Sequence, residues 1–313
     1  MKKALLPLVW LLIAIVGCSP VNSDLINGDN FLNNKEYFKA IESYNKAIEK
    51  DPKNSTIYFN RAKAKNNIED INGAVEDYTV SIELNGNNPQ SYYNRALIFL
   101  DLKRYEDAYN DLTKTINLDS LNSSAYFSRG YINYLMEKFP QALFDYSKAI
   151  EIKPDYEEAL MNRAHLKGDF EDYAGAIVDY DSIIKINNKN VDAYFNRGYD
   201  RGMLNNIDEA IEDFSKVIEL DSTYKDAYFL RGDSKRIQDD YEGALADFNL
   251  LLALDPKNAK ALYKRGMTYL DLKIKDKACE DLSKSSQLGY PDAYADMQKN
   301  CVKAKKKVKK TRK

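Results

Sequence analysis

Residues 225–258 read KDAYFLRGDSKRIQDDYEGALADFNLLLALDPKN, and the chain before and after this stretch repeats its pattern. Ala244 belongs to a series, Ala40, Ala74, Ala108, Ala142, Ala176, Ala210, Ala244 and Ala278, spaced 34 residues apart without an insertion. Four residues after each stands a large apolar or aromatic residue: Tyr44, Tyr78, Leu112, Tyr146, Tyr180, Phe214, Phe248 and Leu282. Twelve before each stands a small one: Gly28, Ala62, Ala96, Gly130, Ala164, Gly198, Gly232 and Gly266. Numbered from Val21, eight units of 34 run to Asp292. Within a unit, positions 4, 8 and 11 fall on one stripe of a first helix, A, and positions 20, 24, 27 and 28 on one stripe of a second, B. Small residues at 8 and 20 let the two helices approach, and large ones at 4 and 24 fill the space left over.

This pattern closely resembles the tetratricopeptide repeat, a helix–turn–helix unit of 34 residues. The resemblance implies an all-α fold, a right-handed α-solenoid of eight units over 21–292, closed by a capping helix over 293–302. No unit could hold its apolar faces out of water alone, so stability is expected as a sum of unit and junction terms.

A second regularity overlays the first. Position 7 is Arg in units two to eight (Arg61, Arg95, Arg129, Arg163, Arg197, Arg231, Arg265), and position 23 is Asp in the same units (Asp77, Asp111, Asp145, Asp179, Asp213, Asp247, Asp281). Unit one has Asn27 and Ser43 and lacks both. Joint presence and joint absence predict a structural ion ladder; the alternative is a substrate-binding row of arginines. At the C-terminal end, Cys279 and Cys301 lie eleven residues either side of Tyr290, in the Gly289-Tyr290-Pro291 turn. Two antiparallel helices meeting there would put both sulfurs at one height. A disulfide is expected if the chain is exported, two reduced cysteines packed as small hydrophobes if not.

Positions 2, 5, 9 and 12 make another stripe on helix A, which in tetratricopeptide arrays forms the inner surface where partner peptides bind. Position 5 holds Phe59, Tyr93, Phe127, Met161, Phe195, Phe229 and Tyr263 in units two to eight, and position 6 holds Asn60, Asn94, Asn162 and Asn196. Rings beside amides suit an extended peptide, although the same residues also serve the family's ordinary packing. Units five to seven carry Lys167, Arg201 and Lys235 at position 11, as Lys65 does in unit two, with Gly168 and Gly202 at position 12. These cations are either a basic groove site for an acidic partner or snorkelling side chains. The lysines by which carboxylate-clamp members of the family grip chaperone tails are missing: position 5 never holds Lys, and position 2 only at Lys260.

Catalytic signatures are wanting. The single His, His165, has no second His or nearby Cys in phase, and there is no Gly-rich phosphate loop, HExxH motif or nucleophile elbow. No enzyme, cofactor, metal site or small-molecule substrate is expected. The net charge of −2 conceals an asymmetry: residues 303–313 carry eight cations and no acid. Removing those eight, with Lys2 and Lys3, leaves −12 on residues 18–302, which argues against nucleic-acid binding. The tail is read as compositionally disordered, either solvated or attracted to an anionic polymer or surface.

The first residues read as an address. Lys2 and Lys3 precede a thirteen-residue apolar run, Ala4 to Val16, too short to span a bilayer. It ends in Ile15-Val16-Gly17-Cys18, which resembles the lipobox of bacterial lipoproteins. The resemblance implies a signal peptide over 1–17, acylation of Cys18, a short tether over 18–20 and, because Ser19 follows, the outer membrane facing the periplasm. The sequence therefore predicts a membrane-anchored scaffold that holds other envelope proteins by its groove; the alternative is an envelope-polymer or anionic-surface binder acting through the tail.

Overall fold

The computed structural model describes residues 20–302. The lipobox-like stretch with Cys18 and the basic tail 303–313 lie outside the described residues. Among the described residues there are seventeen α-helices and no strand. They fall into two compact units that divide after Ile152.

In the first unit the A and B helices alternate as α1 (Pro20–Asn33) and α2 (Tyr37–Lys50), α3 (Ser55–Asn67) and α4 (Ile71–Leu84), α5 (Pro89–Asp101) and α6 (Tyr105–Leu118), and α7 (Ser123–Leu135) and α8 (Phe139–Ile152). In the second they are α9 (Glu157–Asp169) and α10 (Tyr173–Ile186), α11 (Val191–Met203) and α12 (Ile207–Leu220), α13 (Lys225–Ile237) and α14 (Tyr241–Leu254), α15 (Ala259–Asp271) and α16 (Lys275–Gln287), followed by α17 (Pro291–Cys301). Within each unit every helix packs on its sequence neighbour, so each is a stack of helical hairpins.

The close approach inferred from positions 8 and 24 is visible at Gly130, where a Cβ would lie 2.9 Å from the Tyr146 ring. Helix starts are written in the sequence. Asn54, Asn88, Asn122, Asn190 and Asn258, the last residue of their repeats, cap the following A helix through their side chains. Asp70, Asp172 and Asp240 cap B helices by accepting from Gly73, Gly175 and Gly243.

The turn inside each hairpin was not legible. Position 15 is left-handed in every repeat, with φ between 58° and 63° at Lys35, Glu69, Lys103, Glu137, Glu171, Asn205, Asp239 and Lys273, none of them glycine. The next N–H reaches back to the carbonyl of position 11, as from Lys138 to Asn133 at 2.8 Å and from Asp172 to Lys167 at 2.9 Å. This is a Schellman closure of helix A, and its repetition outweighs the steric cost of a left-handed L residue, about 1 to 2 kcal/mol.

At the C-terminal end Cys279 and Cys301 are disulfide-bonded, with Cα atoms 5.5 Å apart, joining α16 to α17.

Candidate functional site

The Arg–Asp ladder occupies most of the buried charge on the array. All seven arginines grip the aspartate of their own repeat with two parallel bonds. Arg61 donates Nε and Nη2 to Asp77 at 2.8 and 2.6 Å, and Arg95 to Asp111 at 2.8 and 2.9 Å. Arg129, Arg163, Arg197, Arg231 and Arg265 bind Asp145, Asp179, Asp213, Asp247 and Asp281 in the same way. The aspartates are buried. The remaining Nη1 reaches back one repeat: from Arg95 to Thr79 at 2.9 Å, from Arg129 to Thr113 at 3.3 Å and from Arg231 to Ser215 at 3.0 Å.

The basic groove drawn from Lys167, Arg201 and Lys235 needs correction. These side chains are second cations on the ladder, 2.8 Å from Asp179, 2.7 Å from Asp213 and 2.9 Å from Asp247; Lys65 sits likewise 2.9 Å from Asp77. Positions 7 and 11 are one helical turn apart and so converge on one carboxylate. Asn133 takes this place in repeat 4, donating to Asp145 at 2.9 Å while its own Oδ1 is buried without a partner.

The aromatic residues at position 5 are half-buried or, at Phe229, buried, and four of them lie tilted against the ring at position 24 of their own hairpin. Phe59 meets Tyr78 at 5.9 Å, Phe127 meets Tyr146 at 6.0 Å, Phe195 meets Phe214 at 5.9 Å and Phe229 meets Phe248 at 6.1 Å between centroids. Phe195 also contacts Tyr224 at 4.9 Å, and Lys260 stands 4.3 Å over Phe229. Tyr263 packs on Tyr290 and donates its hydroxyl to Asp296 at 2.8 Å; burial and that carboxylate push its pKa up to about 12. Tyr93 packs against the core of α5 and α6. Met161 and Asn162 line a shallow cleft with Glu157 and Glu158.

Position 6 has a use that the sequence did not announce, linking repeats 2, 6 and 8 to position 9 of the one before. Asn60 donates to Asp29 at 2.8 Å, Asn196 lies 3.2 Å from His165 Nε2, and Lys264 pairs with Asp233 at 2.8 Å. Asn94 instead hydrogen-bonds Tyr78.

What sequence reasoning missed is in α11. Asp200 occupies position 10, where α3, α5, α7, α9, α13 and α15 bury Ala64, Ile98, Ile132, Leu166, Ser234 and Thr268. It is 5% exposed, and its Oδ2 is buried with no hydrogen-bond partner among the described residues. It floors a cleft of about 260 Å³ lined by His165, Gly168, Asp169, Tyr173, Tyr180, Asn196 and Tyr199. Burial alone holds its pKa up to about 6. Burial also lowers the pKa of His165 on the rim, against the pull of Asp169 and Asp192. The available signal was a charged residue in an otherwise uncharged column.

Profiles of the tetratricopeptide repeat match residues 28–66, 89–120, 123–156, 191–224, 232–273 and 260–293, together more than half of the chain. Among curated proteins no sequence matches. Solved structures of similar fold include the C-terminal part of a TPR repeat-containing protein from Cytophaga hutchinsonii (20% identity, TM-score 0.66, covering 77% of this chain and 98% of that one). YrrB, described as a TPR protein with an unusual peptide-binding site, is 23% identical (TM-score 0.55, covering 60% and 97%), and PilF of Pseudomonas aeruginosa is 20% identical (TM-score 0.54, covering 64% and 92%). At these identities the likeness is one of fold. The repeat profiles, the phase of 34 and the stacked hairpins agree, and the chain belongs to the tetratricopeptide repeat family.

Proposed function

We propose that this protein is an interaction scaffold that holds an extended segment of a partner along its A helices, and that acylation of Cys18 anchors it in a bacterial cell envelope. The observation that carries the first half is the open cleft on α9 and α11, floored by a carboxylate oxygen that no described residue bonds. A stacked array commonly presents one long face, and a peptide along it gains contact with several repeats at once. The peptide-binding site of YrrB, named in that protein's description, supports the same use of the fold. The second half rests on Ile15-Val16-Gly17-Cys18. An anchor would confine the array to a thin layer and raise the effective concentration of whatever it holds.

The test is capture of partners by the full acylated chain in detergent, beside Tyr199→Ala, which removes a ring that is 47% exposed on the cleft rim. Partners lost from the variant are expected. Equal capture by both would move binding elsewhere, and loss only on truncation after Val302 would favour the tail. Labelling with an alkynyl fatty acid should mark the wild type and not Cys18→Ser.

A further inference from the structure

The cleft under Asp200 has a sister one repeat further along. Shifting its lining by 34 residues gives Tyr199, Gly202, Met203, Ile207, Phe214, Leu230, Asp233 and Ser234, all of which line a second cleft of about 140 Å³. The two share Tyr199, and both open where position 12 is glycine. A Cβ on Gly168 would stand 3.8 Å from both Asp200 carboxylate oxygens, and one on Gly202 would meet nothing within 4 Å. Repeats 1, 3 and 8 carry Leu32, Leu100 and Leu270 there.

The two clefts differ in chemistry. The first has Asp200 at its floor, Asp169 on its rim, three tyrosines, an amide and no Lys or Arg in its lining. The second replaces Asp169, Tyr173 and Asn196 with Met203, Ile207 and Leu230, and Ser234 stands at its floor. A buried carboxylate beside aromatic faces favours a cation, since the charge is neutralised and the rings contribute cation–π attraction. The seven buried position-23 aspartates are each answered by an arginine from within; Asp200, at position 10, is not.

We propose that repeats 5 to 7 form two side-chain sockets in tandem, the first taking the ammonium or guanidinium group of a lysine or arginine of a partner segment against Asp200, the second taking an apolar side chain of the same segment. A free amine would use only the first socket. A segment running along the A helices uses both, and helices spaced about 10 Å apart correspond to roughly three residues of extended chain. This deepens the scaffold reading and rests on it.

The experiment is selection of a bead-displayed random octapeptide library by the full chain, by Asp200→Leu and by Gly168→Leu. Leu at 200 restores the apolar residue found at 166, and Leu at 168 fills the socket over the carboxylate while leaving Asp200 in place. Wild-type binders should share a Lys or Arg three or four residues from an aliphatic or aromatic residue. Both variants should lose the basic preference at least tenfold while keeping the apolar one. Thermal melting checks that the variants fold, and Asp200→Leu should melt a few degrees higher, because it removes a buried charge that serves a ligand. Binders without a basic preference, or a preference that survives both substitutions, would overturn the sockets and leave the scaffold reading standing. No binders at all would overturn both. Selection that strengthens tenfold on removal of residues 303–313 would make the chain's own tail the occupant and overturn the assignment to a partner.

Discussion

Asp247 and Asp200 are both buried carboxylates in the second unit, and they are treated in opposite ways. Asp247 takes two bonds from Arg231 and one from Lys235. Asp200 takes none at Oδ2, and its carboxyl is held partly protonated near neutrality by burial alone. The scaffold supplies a means of neutralising a buried aspartate in seven repeats, so its omission at 200 is not forced by the fold. Charge that belongs to the architecture is balanced from within; charge that is left over can be balanced from outside.

The sharpest way to break this comparison is to remove the architectural member. Asp247→Ala strands Arg231 and Lys235 without their counterion and should cost about 3 to 5 kcal/mol in urea unfolding. A loss below 1 kcal/mol would mean that the ladder is ornamental and the contrast empty. The other member should respond with the opposite sign: Asp200→Leu is expected to gain about 1 to 2 kcal/mol at pH 7.5, by removing the desolvation cost of a charge in an apolar column.

The gain should also depend on pH. A carboxyl whose folded pKa lies near 6 and whose unfolded value is about 3.8 binds more protons folded than unfolded between those limits. Wild type is therefore penalised as pH rises from 4 to 6.5. The advantage of Asp200→Asn should be small at pH 4 and complete above pH 6.5, on the order of 1 kcal/mol after allowance for solvent in the open cleft. Asp169, His165, Tyr173, Tyr180 and Tyr199 face the same space. Burial lowers the pKa of His165 below the usual imidazole value, so the measurement is cleanest on a His165→Asn background. The smallest effect is expected in the first unit. Asn133→Lys would give Asp145 the second cation that Asp77 and Asp247 have and remove the unpartnered Oδ1, for about 0.5 to 1 kcal/mol. Chemical denaturation of the variant measures it.

Much of the architecture could be read in advance because a repeat makes every position a column of eight observations. The 34-residue spacing, the Arg–Asp pairing and the two cysteines flanking Tyr290 all show in residue identities. Position 11 stayed open between a groove cation and a snorkelling side chain; position 7 stands one helical turn before it and reaches the same aspartate. The left-handed turn at position 15 was hidden because Lys, Glu, Asn and Asp occupy it without one glycine. Asp200 escaped because attention to positions 4, 8 and 11 left column 10 unread, although the structure buries that column from Ala64 to Thr268. A cleft, moreover, is made by what is missing, and Gly168 announces only an absent side chain.

The third nitrogen of the ladder arginines carries one more consequence. Because Nη1 of Arg95, Arg129, Arg197, Arg231 and Arg265 reaches into the preceding hairpin, those rungs are also stitches to the repeat before them. Repeat 1 has Asn27 and Ser43 in place of a rung, and it is sewn to its successor by Arg61 to Asn45 and Asn60 to Asp29. At the far end α17 is fastened covalently to α16. The array thus begins on a repeat joined to its successor by hydrogen bonds and ends on a helix joined to its predecessor by a covalent bond.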